Sequence, residues 1–155
     1  MRRRRAPKRE IKPDPKYNSP VIGRFVSVIM SDGKKSIAQR IIYDSLNIIE
    51  EKLKIDPLKI FFSAVDNARP RLEVKPRRIG GATYQVPIEV VKERGLTIAL
   101  RWMRDFARKK KGKPMSVKLA DEIISAYKNE GAVIKKKEDT HKMAESNKAF
   151  AHFKW

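Results

Sequence analysis

Apolar residues recur at helical spacing in six separate stretches of this 155-residue chain and alternate with polar ones in a single stretch, from Arg71 to Val90. Val21, Ile22, Phe25, Val26 and Ile29 form the first stripe, opened by the cap-and-proline pair Ser19-Pro20 and stopped at Asp32-Gly33. A second helix runs from about Ser36 to Lys54 and buries Ala38, Ile41, Ile42, Leu46, Ile49 and Leu53. Asp56-Pro57 opens a third by the same logic, with Leu58, Phe61, Phe62, Val65 and Ala68 as its stripe and Arg69-Pro70 as its end. Aromatics at helical spacing belong to cores more often than to base-stacking platforms, so Phe61 and Phe62 are read as core. The fourth helix, near Lys92 to Arg108, buries Leu96, Ala99, Leu100, Met103 and Ala107. A fifth, from Ser116 to Lys128, buries Val117, Ala120, Ile123, Ile124 and Tyr127 and stops at Asn129-Glu130-Gly131. After Lys135-Lys136-Lys137, the weaker stripe Thr140, Met143, Ala144, Asn147, Phe150 and Ala151 predicts a sixth.

The alternating stretch reads as a two-stranded β-hairpin between helices three and four. Leu72 and Val74 alternate with charged residues on the first arm, and Tyr84, Val86, Ile88 and Val90 alternate with Gln85, Pro87 and Glu89 on the second. A two-residue turn at Gly80-Gly81 would put Leu72 and Val74 on the face opposite Tyr84, Val86 and Ile88. A three-residue loop over Gly80, Gly81 and Ala82, or a bulge, gathers the apolar residues on one face and is therefore expected. Such a ribbon is only marginally stable alone. With Lys75, Arg77 and Arg78 near its tip, it reads as an arm that becomes rigid against a polyanion.

Charge gives these elements a purpose. The 37 Lys and Arg against 18 Asp and Glu leave +19, which calls for a polyanionic partner. Residues 1–16 contribute +6, residues 69–88 +4 and residues 101–113 +6, so three patches hold 16 of the 19. Residues 1–18 combine like charge with three prolines and little to bury, and are expected to form a flexible basic arm ahead of a single helical domain over residues 19–155, with the hairpin arm at 71–90. Four successive arginines, Arg2, Arg3, Arg4 and Arg5, exceed what solubility needs and point to phosphate. Arg101, Arg104 and Arg108 recur on one face of the fourth helix as a basic stripe that runs into a cationic loop over residues 109–113. The segment Phe150-Ala151-His152-Phe153-Lys154-Trp155 suits docking on the core and stacking on bases equally.

Enzyme chemistry is not expected. There is no cysteine, which excludes disulfides, thiolate catalysis and cysteine-ligated zinc. His141 and His152, the two histidines, lack a flanking metal-ligand pattern. Gly33-Lys34-Lys35 resembles the end of a phosphate-binding loop but fails at two positions, with Lys35 in the Ser/Thr place and Val28 in that of the first glycine. No cofactor or metal is called for. No apolar run approaches membrane-spanning length and none follows the arginines as a secretory signal requires, so a cytoplasmic protein without a membrane partner is expected. Arginine-rich segments and a ribbon suit an irregular folded RNA, and an architectural DNA-binding protein is the alternative.

Several motifs in order carry a resemblance. They are Ile29-Met30-Ser31-Asp32-Gly33-Lys34-Lys35 with Ile41-Ile42-Tyr43-Asp44-Ser45, then Arg77-Arg78-Ile79-Gly80-Gly81-Ala82-Thr83-Tyr84-Gln85-Val86-Pro87, Ala99-Leu100-Arg101-Trp102, Gly131-Ala132-Val133-Ile134-Lys135-Lys136-Lys137-Glu138-Asp139 and Met143-Ala144-Glu145-Ser146-Asn147-Lys148-Ala149-Phe150-Ala151-His152. Through them the chain resembles, nearly end to end, the bacterial-type small-subunit ribosomal protein S-seven family. The resemblance implies a mainly α fold: a six-helix bundle with a protruding two-stranded β-hairpin between helices three and four. It also implies a structural ribosomal protein that binds the 3′ major domain of small-subunit rRNA, nucleates assembly of the subunit head and lies near the exit-site tRNA and the mRNA path. Carried onto this sequence, the rRNA surface comprises Arg2 to Arg5, Gly33, Lys34, Lys35, Lys75, Arg77 and Arg78, to which the basic stripe adds Arg101, Arg104 and Arg108. The hairpin tip expected near tRNA comprises Arg78, Gly80, Gly81 and Tyr84. Neighbouring head and platform proteins, including S-nine and S-eleven, are implied partners.

Overall fold

A computed structural model of the chain describes residues 10–153. It is mainly helical: α1 (Pro20–Ile29), α2 (Lys35–Leu53), α3 (Pro57–Ala68), β1 (Leu72–Ile79), β2 (Ala82–Glu89), α4 (Lys92–Lys109), α5 (Met115–Tyr127), α6 (Gly131–Ser146) and a closing 3₁₀ turn (Lys148–Phe153). The chain divides into two compact units, one up to Arg40 and one from Ile41.

In the first unit, residues 10–18 are a folded turn. Asp14 is 2% exposed, and its carboxylate accepts the backbone N–H groups of Lys16 and Tyr17 while its own N–H donates to the Ser19 carbonyl. Gly23 makes room for this: a Cβ there would stand 2.5 Å from the Lys12 carbonyl oxygen. Ile22, Phe25, Val26 and Ile29 of α1 are buried, as their spacing predicts. Ser19 caps α1 by position without a side-chain hydrogen bond, whereas the Asp56 carboxylate accepts the Leu58 N–H at the start of α3.

In the second unit α5 is central, with α3, α4 and α6 packed on it. Alanines at the contacts, Ala64 and Ala68 of α3, Ala99 and Ala107 of α4, and Ala120 and Ala126 of α5, are all fully buried and let the helix axes approach closely. Leu119 and Ile123 fill the remaining space, each contributing about 2 kcal/mol by leaving water. Asn67 ties three helices together: its side-chain amide donates to the carbonyls of Ala126 and Tyr127, and its own carbonyl accepts Lys137 Nζ. Two sequence expectations change here. Phe62 is 37% exposed, because the buried stripe of α3 runs through Ile60, Phe61, Ala64 and Val65. The sixth helix begins before the lysine run, at Gly131, since Asn129 and Gly131 both take left-handed φ and allow α6 to start at once, burying Val133 and Ile134.

The hairpin also departs from expectation. Ile79 pairs with Ala82 across a two-residue turn, with Gly80 at φ 55° and Gly81 at φ 88°, the primed turn that suits strand twist. Leu72 and Val74 therefore do lie on the face opposite Tyr84, Val86 and Ile88. Parity does not set the register, because apolar residues find cover on both faces of the ribbon. At the hairpin's root both faces are covered, with α6 packed on both strands and the 3₁₀ turn on β2. Val86 is 1% exposed while Leu72 and Val74 are half-buried.

Candidate nucleic-acid interface

Beyond its covered root the ribbon runs out to an exposed end. Lys75, Pro76, Arg77, Arg78 and the residues from Gly80 to Thr83 are exposed. The register separates the two arginines: Arg77 lies opposite Tyr84 and Arg78 opposite Thr83, so they stand on opposite faces of the ribbon. Neither meets a carboxylate among the described residues. Lys75 does, with its Nζ 3.3 Å from Glu73, which also receives Arg94 Nε at 2.8 Å. Burial pushes the Glu73 carboxyl up, but the hydrogen bonds and charges of Arg94 and Lys75 outweigh it and hold the group below its ordinary value. Glu73 and Arg94 thus pin the hairpin root to the first turn of α4.

On the other side of the root, the Arg71 N–H donates to His141 Nε2 at 3.0 Å, and the Arg71 carbonyl accepts the Val90 N–H that closes the ribbon. Burial first, then the charges of Lys137 and Arg71, push the His141 imidazole below 6.5, consistent with a neutral ring that accepts. A cleft of about 540 Å³ here brings together Arg71, Glu89, His141, Glu145 and Lys148. These charges of both signs include no nucleophile paired with a base.

The other sequence-predicted cations fare differently. Gly33, Lys34 and Lys35 are exposed in the turn between α1 and α2, with Gly33 at φ 72°. On α4, Arg101 and Arg108 are exposed, but Arg104 is half-buried and its guanidinium sits 2.7 Å from Asp105. The loop after α4 is internally engaged. Lys110 Nζ lies 2.7 Å from the buried Glu122 carboxylate, Lys113 reaches Asp121 at 3.5 Å, and Lys109 sits 5.1 Å over the Phe106 ring. Lys52 joins the same cluster, 2.8 Å from Asp121, and with Lys113 holds that carboxyl below its ordinary value against the opposing effect of burial. Arg2, Arg3, Arg4 and Arg5 lie outside the described residues.

Tyr84 is set back from the tip and half-buried, its ring 5.2 Å from Phe150 and 5.6 Å from Phe153. This docks the C-terminal turn on the hairpin. Periodicity could not pair residues so far apart in sequence; the signal was the aromatic spacing in the last stretch.

Among the described residues no group of His, Asp or Glu converges as a metal site, and no helix is long and apolar enough to cross a membrane. Separate exposed cationic patches on a helical frame define a class, the polyanion-binding proteins. The pattern of the family described as ribosomal protein S7p/S5e matches residues 1–148. The chain is 59% identical over 155 residues to small ribosomal subunit protein uS7 of Thermotoga maritima and 57% to that of Thermotoga neapolitana, covering the whole of each. It is 54% identical over 154 residues to uS7 of Desulfatibacillum aliphaticivorans, covering 99% of both chains. The chain belongs to the ribosomal protein S7p/S5e family, whose members are structural and not enzymes.

Proposed function

We propose that this chain, a structural protein of the small ribosomal subunit and so cytoplasmic, binds the 3′ major domain of small-subunit rRNA directly and nucleates assembly of the head. The observation that carries the reading is the exposed hairpin end, where Arg77 and Arg78 stand without a carboxylate partner among the described residues. Lys34 and Lys35 in the turn after α1, Lys75 on the hairpin, and Arg101 and Arg108 on α4 act as further RNA contacts, with Arg104 contributing where Asp105 releases it. Residues 1–18, with Arg2 to Arg5, act as a basic arm on phosphates, and residues 19–155 act as one domain. The hairpin tip, from Arg78 through Gly80 and Gly81, lies near the exit-site tRNA and the mRNA path, with Tyr84 steadying it from behind. The neighbours are head and platform proteins, S-nine and S-eleven among them. Filter binding of an rRNA head-domain fragment across a salt series tests the reading: steep salt dependence and preference over random duplex DNA are expected. A flat dependence, or equal affinity for the DNA, contradicts it.

A further inference from the structure

We infer that the hairpin and the C-terminal 3₁₀ turn together form a stacking platform for one unpaired nucleobase, with His152 as the open ring and Arg77 beside it for the adjoining phosphate. This rests on the RNA-binding reading above and adds a site to it. Four rings run in sequence: Phe150 lies 5.2 Å from Tyr84, Tyr84 lies 5.6 Å from Phe153, and Phe153 lies 3.9 Å from His152. The first three are half-buried and fixed by one another, whereas His152 is exposed. A ring held from behind and open in front takes a base with little further ordering.

The cations decide what kind of ligand suits it. Arg77 is the cross-strand partner of Tyr84, and Lys75 follows two residues along the same face, so both stand on the side of the ribbon that carries the column. Arg78 stands on the other side. An aromatic surface bordered by cations matches a nucleotide, base on ring and phosphate on guanidinium. Paired bases in a duplex keep their faces against one another, so the ligand is an unpaired nucleotide.

The test uses the full chain, a single-stranded RNA oligonucleotide carrying 2-aminopurine, and an RNA duplex of the same length. Wild type is expected to change the 2-aminopurine fluorescence on binding. His152→Ala should lower affinity for the single strand about ten-fold, the size of one base–aromatic stack, and leave the duplex affinity unchanged. His152→Phe should restore both the affinity and the fluorescence change. In double-mutant cycles Arg77→Ala should couple to His152→Ala, and Arg78→Ala should be additive with it. Undiminished single-strand binding by His152→Ala, or an equal loss on single strand and duplex, overturns the platform. A wild type that binds neither RNA overturns the RNA-binding reading itself.

Discussion

The hairpin end over residues 75–78 and the loop over residues 109–113 look alike on paper, with three and four cations respectively. In the folded chain they are opposites. Two of the loop's lysines meet carboxylates on α5, one of them the 2%-exposed Glu122, and a third covers the Phe106 ring. At the hairpin end, among the described residues, only Lys75 has a carboxylate, and its partner Glu73 lies toward the root. A carboxylate within reach turns a lysine into a structural tie; two arginines with no carboxylate near them among the described residues remain available to phosphate. Net charge by segment cannot draw this distinction.

The comparison breaks if the two patches respond alike to substitution. Arg77→Ala with Arg78→Ala should weaken binding to the rRNA head-domain fragment by at least about ten-fold, with the thermal midpoint almost unchanged, since neither side chain is buried. An equal loss of stability would show that the tip belongs to the core. Lys110→Met should do the reverse. It leaves the Glu122 carboxylate, whose Oε2 already lacks a hydrogen-bond partner, buried without its cation. A cost of about 2 kcal/mol is expected in chemical denaturation, less than for a fully buried pair because Lys110 is partly exposed, while RNA affinity of the folded protein changes less than two-fold.

The hairpin's turn offers a sharper, smaller test. Ala at Gly80 or Gly81 must adopt positive φ at a cost of about 1 kcal/mol each, with open space around both positions. Amide exchange at Ile79 and Ala82 should quicken while the midpoint moves by a degree or two. A bulged, three-residue loop would instead tolerate one of these alanines silently.

The smallest effect is on pH. The folded His141 titrates below 6.5, so the unfolded chain binds more protons between that lowered value and 6.5. Stability from this group is complete above pH 6.5 and is lost as pH falls through 6.5 toward the folded value. His141→Gln should flatten that slope in thermal melts, whereas an unchanged slope would place its origin elsewhere. The depressed Glu73 and Asp121 act in a separate window, with stability present above 4.5 and 3.8 respectively and lost as pH falls below.

Helix number and order were legible because the first five apolar stripes keep a 3.6-residue period and are followed by Gly, Pro or Asn, while the weaker sixth marked a helix but not its start. The hairpin was legible for the same kind of reason, in period two. Its register was not, because one-sided burial was assumed where α6 and the 3₁₀ turn cover both faces of the root. Spacing alone puts Phe62 and Tyr127 in the core, yet both are more than a third exposed, displaced by Ile60 on α3 and by Leu119 and Ala126 on α5. The candidate site was legible as charge and illegible as availability. Nothing in the local sequence distinguishes Lys110 from Lys111, since the carboxylate that claims Lys110 comes from the next helix. Tyr84 likewise gave no sign that Phe150 and Phe153 would fold back onto it.

The most direct measurement is the slope of log affinity against log salt for wild type, for Arg77→Ala with Arg78→Ala, and for Lys110→Met with Lys113→Met, all on the same rRNA head-domain fragment. If the hairpin end faces phosphate and these loop lysines serve the fold, the hairpin variant should lose about two from the magnitude of the slope and the loop variant almost nothing. Equal losses in the two variants, or a larger one in the loop, would contradict it.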